Sequence, residues 1–154
     1  STLGPPQVAA VALSEIASEN ADTQAQIVEE GAVPPLVDKI RTWSAEVAEV
    51  AASGGNLSNM SNTSSVAMAH RVATEAAGTL ATLAKNHTVN QLIIAEENGI
   101  PPLLDLVRDA DPASHENAMR ALWHLGQVED NNTTCKLDDL ILIWASHLNL
   151  SFKR

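Results

Sequence analysis

Small and apolar residues recur along one stripe in two separate stretches. Ala76, Leu80 and Leu83 fall at i, i+4 and i+7, and Ala118, Leu122 and Leu125 do the same. That spacing is one face of a helix with a 3.6-residue period. Between them lies "VNQLIIAEENG", a short helix with Val89, Leu92 and Ile93 as its apolar face and Asn98-Gly99 as its stop. "IPPLLDLVRDAD" follows. Proline lacks an N–H and clashes one turn back, so it belongs in the first turn of a helix. Pro101-Pro102 therefore open a new helix at a sharp corner, with Leu103, Leu104 and Val107 expected to be buried. Asp111 is placed to cap the next helix, which Pro112 begins.

The chain repeats this phrasing. Shifted by 67 positions, "AAVALSEIASENADTQAQIVEEGAVPPLVD" from Ala9 lies over "AAGTLATLAKNHTVNQLIIAEENGIPPLLD" from Ala76 without a gap. A second offset of 42 sets Leu80 over Leu122 and Leu83 over Leu125. "AASGGNLSNMS" reads as another copy of the same helix phrase, with Leu57 and Met60 in the paired slots and Gly54-Gly55 inside it. The slots Leu13/Ile16, Leu57/Met60, Leu80/Leu83 and Leu122/Leu125 are then separated by 44, 23 and 42 residues. Three helices per unit of about 42 residues, with a Gly–Pro corner after the first, describe an α-solenoid.

These residues resemble armadillo repeats. The pattern "NQ…I…GIPPLLDLV…EnA..AL..L" runs from Asn90 to Gly126, and a weaker copy runs from Thr23 to Met60. HEAT repeats are built of two helices and lack this corner. The resemblance implies an all-α, right-handed solenoid of about three three-helix repeats, irregular near residues 61–72, within a single domain spanning 1–154. The expected division is a partial repeat plus a first full repeat at 8–60, a truncated repeat with only its third helix at 61–86, and a second full repeat at 87–130. Residues 131–154 depart from the pattern. Leu137, Leu140, Ile141, Trp144 and Leu148 lie at i, i+3, i+4, i+7 and i+11, so an amphipathic C-terminal capping helix is expected, with a partner-docking helix as the alternative.

The third helices of this family line a groove for extended peptides. In its nuclear-import adaptors, Trp and Asn four residues apart on those helices clamp the peptide backbone. The corresponding pairs here are Gly55/Asn59, Gly78/Thr82 and Arg120/His124, so the resemblance implies a groove without the adaptor ladder. Asn59, Glu75, Arg120, Trp123 and His124 are the expected protein-binding residues. Trp43 and Trp144 are assigned to inter-helix packing.

Composition narrows the function further. Hydrophobic residues make up 45% and aromatics 3%, with no Tyr, which disfavours strands. The net charge of −10 and pI near 4.7 repel phosphate backbones and anionic lipid, so neither nucleic acid nor a membrane surface is an expected partner. The lone Cys135 forms no internal disulfide and reads as an ordinary free thiol. Apolar runs such as "LILIWA" are too short for a membrane span. The N-x-[ST] triplets fall partly in predicted helices and do not indicate secretion. No hydrolase, phosphate-loop or zinc-protease motif is present. The five histidines never pair at i+3 or i+4, so no metal ligand set or cofactor is expected. His70 and His115 are expected to be exposed and His87 to follow a helix. The acidic doublets Glu29-Glu30, Glu96-Glu97 and Asp138-Asp139 read as solvated helix ends.

The expected function is non-enzymatic: an interaction module or scaffold holding a protein segment. The alternative is a structural accessory subunit stably embedded in a larger multiprotein complex, an organellar one included. The expected location is intracellular and cytoplasmic, or organellar after loss of a leader.

Overall fold

The computed structural model describes residues 4–18, 20–54, 64–108 and 111–128. These form seven α-helices and, among the described residues, no strand: α1 (Pro5–Ala17), α2 (Ala21–Glu29), α3 (Val33–Ala52), α4 (Ser64–Ala84), α5 (Thr88–Glu96), α6 (Ile100–Val107) and α7 (Pro112–Leu125).

Helix starts follow the prolines and caps. α1, α3, α6 and α7 each carry Pro in their first turn. The side chains of Asn20, His87 and Asp111 accept hydrogen bonds from the backbone N–H of Thr23, Asn90 and Ser114, closing the first turns of α2, α5 and α7. Asp111→Ala is expected to lower stability by about 1 kcal/mol, read as a shifted urea midpoint with an unchanged slope.

The 67-residue repeat is visible in backbone detail. Gly31 (φ 82°) and Asn98 (φ 56°) take the left-handed conformation at equivalent corners. Gly31 N–H donates to Val28 O and Asn98 N–H to Ala95 O, both at 3.0 Å, while Ala32 and Gly99 N–H reach back to Ile27 O and Ile94 O. Arg41 pairs with Asp38 on α3 as Arg108 pairs with Asp105 on α6. The second corner is the tighter. A Cβ on Gly99 would lie 2.8 Å from Ile94 O of its own turn and 3.4 Å from Val37 Cγ2 of α3.

α4 is the central helix. It packs on α1, α3, α5 and α7, while α3 also lies against α6 and α2 against α5. Its stripe Ala76, Leu80 and Leu83 is fully buried, as is Ala118, Leu122 and Leu125 on α7. Small residues let α1, α4 and α7 approach closely. Thr79 Oγ1 donates to Ala10 O at 2.7 Å, and Asn117 Nδ2 donates to Thr74 O at 3.0 Å. Trp43 is buried and stacks, tilted, on His70 at 5.6 Å, so its packing role holds.

Several expectations are corrected. α5 buries Asn90, Gln91 and Ile94, and Val89 is 59% exposed. The amides of Asn90 and Gln91 turn inward to reach the last carbonyls of α4, and that orientation carries Val89 outward. α6 buries Ile100 and Leu106 beside Leu103 and Val107, leaving Leu104 half-buried. Ile16 is 61% exposed: α1 meets α4 through Ala10 and Ser14, and none of the described helices covers Ile16. His70 and His115 are half-buried and hydrogen-bonded to Ser114 Oγ and Val107 O. α3 runs on to Ala52, so Gly54 (φ 74°) lies in the turn after it and not inside a helix.

The stretch expected to be irregular is helical from Ser64 onward. Residues 61–63, the slots Leu57 and Met60, Gly55, Asn59, Cys135 and the expected capping helix lie outside the described residues.

Candidate protein-binding face

α4 and α7 run side by side and present polar side chains in the same register. On α4 these positions are Glu75, Gly78 and Thr82; on α7, 42 residues later, they are Asn117, Arg120 and His124. Each set is spaced i, i+3, i+7, so it forms one stripe. At Gly78 there is little room between the two helices: a Cβ there would sit 3.0 Å from Asn117 Nδ2. Asn117 is held by its bond to Thr74 O and accepts from Arg120 Nη2 at 3.0 Å. Thr82 donates to Gly78 O and meets Ser14 Oγ of α1 at 2.9 Å. The middle of the face is thus held by hydrogen bonds, and the long Arg120 and Lys85 side chains are exposed at its rim.

The structure brings Glu75, Arg120 and His124 onto this face. Glu75 is half-buried beside Thr74, Arg120 is exposed and His124 is half-buried. Trp123 is exposed at 65%, whereas Ala81, its counterpart 42 residues earlier, is 1% exposed. Ala81 shares the α7-facing side of α4 with Thr74, so Trp123 points from α7 to the side away from α4. Asn59 lies outside the described residues.

Burial lowers the His124 pKa from its ordinary value of 6.5, and the charges of Lys85 and Arg120 lower it further. Its Nδ1 is buried without a hydrogen-bond partner among the described residues. The folded state therefore holds this imidazole neutral at pH values where the unfolded chain begins to protonate it. Stability rises with pH where the unfolded state binds more protons. The His124 contribution is accordingly intact above pH 6.5 and is lost as the pH falls from about 6.5 through the lowered folded value. An NMR titration of His124 is expected to give a pKa below 6.5, rising in Lys85→Gln and in Arg120→Gln.

A second polar cluster was not legible as a unit. Ser114 Oγ meets His70 Nε2 at 2.8 Å, Thr74 Oγ1 at 2.7 Å and Asp111 Oδ2 at 3.2 Å. Its residue types are those of a hydrolase triad, but its order is not. The carboxylate binds the hydroxyl instead of the imidazole, and Ser114 is fully buried, so no substrate reaches it. The cluster ties α4 to the start of α7, with His70 stacked on Trp43 of α3. "DPAS" signalled the cap at Asp111, but nothing in the pattern marked His70 as its partner. Among the described residues, no group of three or more His, Cys, Asp or Glu is placed to hold a metal ion. No helix among them is long and apolar enough to cross a membrane.

No curated protein and no solved structure matches the chain significantly. One family model matches, over residues 88–126, and that span contains α5, α6 and α7 whole. The corner-forming prolines, the buried Ile94–Leu103–Leu106 core and the α7 stripe all fall within it, and this part of the chain is similar to an Armadillo/beta-catenin-like repeat.

Proposed function

We propose that the chain is a non-enzymatic interaction module that holds a segment of another protein across α4 and α7. Armadillo repeats are in general scaffolds for protein partners. The observation that carries the reading is the paired register of Glu75/Gly78/Thr82 and Asn117/Arg120/His124 on adjacent helices. Arg and Trp are residue types that dominate binding energy at interfaces, and exposed Arg120 and Trp123 flank this face.

Helix contacts also favour a particular division into units. α3 lies on α6, α2 on α5, and α4 on both α1 and α7. We infer that α2–α3–α4 is one enlarged unit, stacked on α5–α6–α7 and preceded by α1 as the third helix of another, in a right-handed solenoid. The 67-residue step is then one unit lengthened in α3 and the segment after it, in place of a full unit followed by a truncated one.

The test is a native-extract pull-down with the 154-residue chain as bait. A protein retained near stoichiometry by the wild type, and lost in a chain carrying both Arg120→Glu and His124→Glu, supports the reading. Retention of no protein, or equal retention by the double variant, sinks it. The variant's circular dichroism and thermal midpoint check that the loss is not unfolding.

A further inference from the structure

Among the described residues, Asn86 and Asn98 take the left-handed conformation, both at φ 56°. They follow the ends of α4 and α5, where a short polar side chain tolerates that geometry. They differ in what comes next. His87 follows Asn86 and Gly99 follows Asn98, and Asn98-Gly99 is the only Asn-Gly step in the sequence. That step is chemically labile. The backbone nitrogen after an asparagine can attack the carbon of the side-chain amide, and a Cβ on the following residue hinders the approach. Glycine has no Cβ. The twin corner lacks the step, because Gly31-Ala32 stands where Asn98-Gly99 does. Packing demands the glycine at 99: a Cβ there would lie 2.8 Å from Ile94 O and 2.9 Å from Ile94 Cγ2.

The closed corner withholds the nucleophile. Gly99 is buried and Asn98 exposed. Gly99 N–H donates to Ile94 O and Asn98 N–H to Ala95 O, both at 3.0 Å. Attack requires Gly99 N to lose its proton and to approach Asn98 Cγ, so it requires that the corner open. The helices meeting there are short, α5 of nine residues and α6 of eight. Helices of that length are marginal alone, and such segments open locally at a lower free energy than global unfolding. The amides of Asn90 and Gln91 tie α5 to the end of α4 and so resist that opening.

We propose that Asn98-Gly99 is a self-modification site gated by opening of the α5–α6 corner. A bond forms between Gly99 N and Asn98 Cγ, the Cγ–Nδ2 bond breaks, and Nδ2 leaves as ammonia. The proton that Gly99 N gives up balances the one the leaving group takes. Water then opens the five-membered imide. Cleavage between Gly99 N and Cγ gives aspartate. Cleavage at the Asn98 main-chain carbonyl gives isoaspartate, whose main chain runs through Cβ and Cγ and is one atom longer. The corner has no slack for that atom, since Gly99 fits closely between Ile94 and Val37 and two backbone bonds fix the turn. Aspartate re-forms the corner and isoaspartate does not, so the junction and its contact with α3 stay loosened. The change is one-way and records how often the corner has opened. It goes beyond the interaction-module reading and does not depend on the α4–α7 face.

Incubating the 154-residue chain at mildly alkaline pH, with peptide mass spectrometry that separates isoaspartate from aspartate, tests the proposal. In urea that unfolds the chain, Asn98 is expected to convert, with isoaspartate the major product. In buffer the conversion should be slower by at least about tenfold, and Asn86 should persist in both conditions over the same period. Gln91→Ala, which frees α5 from α4, should speed the conversion in buffer severalfold and leave the rate in urea unchanged. The isoaspartate form should unfold at a lower urea midpoint than the unmodified chain, while Asn98→Asp stays close to wild type. Asn98→Gly installs the residue of the twin corner, so it should fold and keep its midpoint through the incubation. An Asn98 that survives in urea, equal rates in buffer and urea, or an isoaspartate form as stable as wild type overturns the proposal. So does a rate in buffer that Gln91→Ala leaves unchanged, whether at zero or above it. Partner capture by the α4–α7 face is a separate measurement, so the two readings fail independently.

Discussion

Leu80→Ala is expected to destabilise the chain by about 2–5 kcal/mol, while Leu13→Ala, the equivalent change one repeat earlier, costs roughly 1 kcal/mol or less. Both leucines occupy the same slot of the same phrase, so sequence alone ranks them equally. Their surroundings do not. Leu80 is fully buried on α4, which is enclosed by α1, α3, α5 and α7. Deleting its side chain leaves a void that these helices cannot all collapse into, and the loss combines transfer free energy with lost packing. Leu13 is half-buried at the rim of an existing cavity, so truncation widens a space already open to water. Domains of this size are stable by about 5–15 kcal/mol, so the first variant forfeits a large share of the total. Urea unfolding reads the difference directly. Equal losses would show that α1 is as enclosed as α4.

The contrast between those leucines shows what the sequence carried and where it fell short. Periodicity and proline placement located helices correctly wherever tertiary contacts agreed with them. Ala76/Leu80/Leu83 and Ala118/Leu122/Leu125 are buried as expected, and Pro101-Pro102 open α6 as expected. The pattern failed where a neighbour decides which side is inside. Ile16 is apolar in the right slot yet exposed, because none of the described helices packs over that side of α1. Val89 is outside because its helix spends its inner face on Asn90 and Gln91. A hydropathy pattern gives no reason to bury two amides in place of a valine. The reason lies in the four unpaired carbonyls at the end of the preceding helix, visible only once α4 and α5 are seen end to end.

The candidate face was legible to a similar degree. The 42-residue offset placed Glu75, Arg120 and His124 on the third helices, and the structure sets them on adjacent α4 and α7. It did not separate Trp123 from them, since residues 120, 123 and 124 are neighbours on a helix surface and only the partner helix tells which side each faces. The spacing of 67 residues was equally open. A missing corner and a lengthened unit produce the same number, and the packing of α3 on α6 and of α4 on α7 favours the second.

The buried amides of α5 supply the other large expected effect. Asn90 Nδ2 donates to Leu83 O at 2.9 Å and Gln91 Nε2 to Ala84 O at 2.7 Å, and both residues are almost fully buried. Gln24 makes the equivalent bond to Ala17 O at 3.2 Å one repeat earlier, so the device belongs to the repeat. Replacing Asn90 by Ala removes the side-chain donor to Leu83 O at a cost of about 1–3 kcal/mol, while Gln91→Ala leaves Ala84 O with only the 3.3 Å bond from His87 N–H and costs about 1 kcal/mol or more. The two bonds adjoin on one helix end, so the double variant Asn90→Ala/Gln91→Ala need not show the simple sum. Gln91→Glu is the sharper test, because it keeps the shape and turns a donor into an acceptor facing a carbonyl. If the side chain only fills space, the Glu variant unfolds at the same urea midpoint as the wild type. If it caps α4, Glu is worse than Ala at neutral pH, since a buried carboxylate oxygen then faces the Ala84 carbonyl oxygen in place of the donor. Part of that deficit should return as the pH falls and the carboxyl protonates, regaining a donor. Amide hydrogen exchange in the last turn of α4 should quicken in every one of these variants, because that turn is held at its end by the helix that follows it.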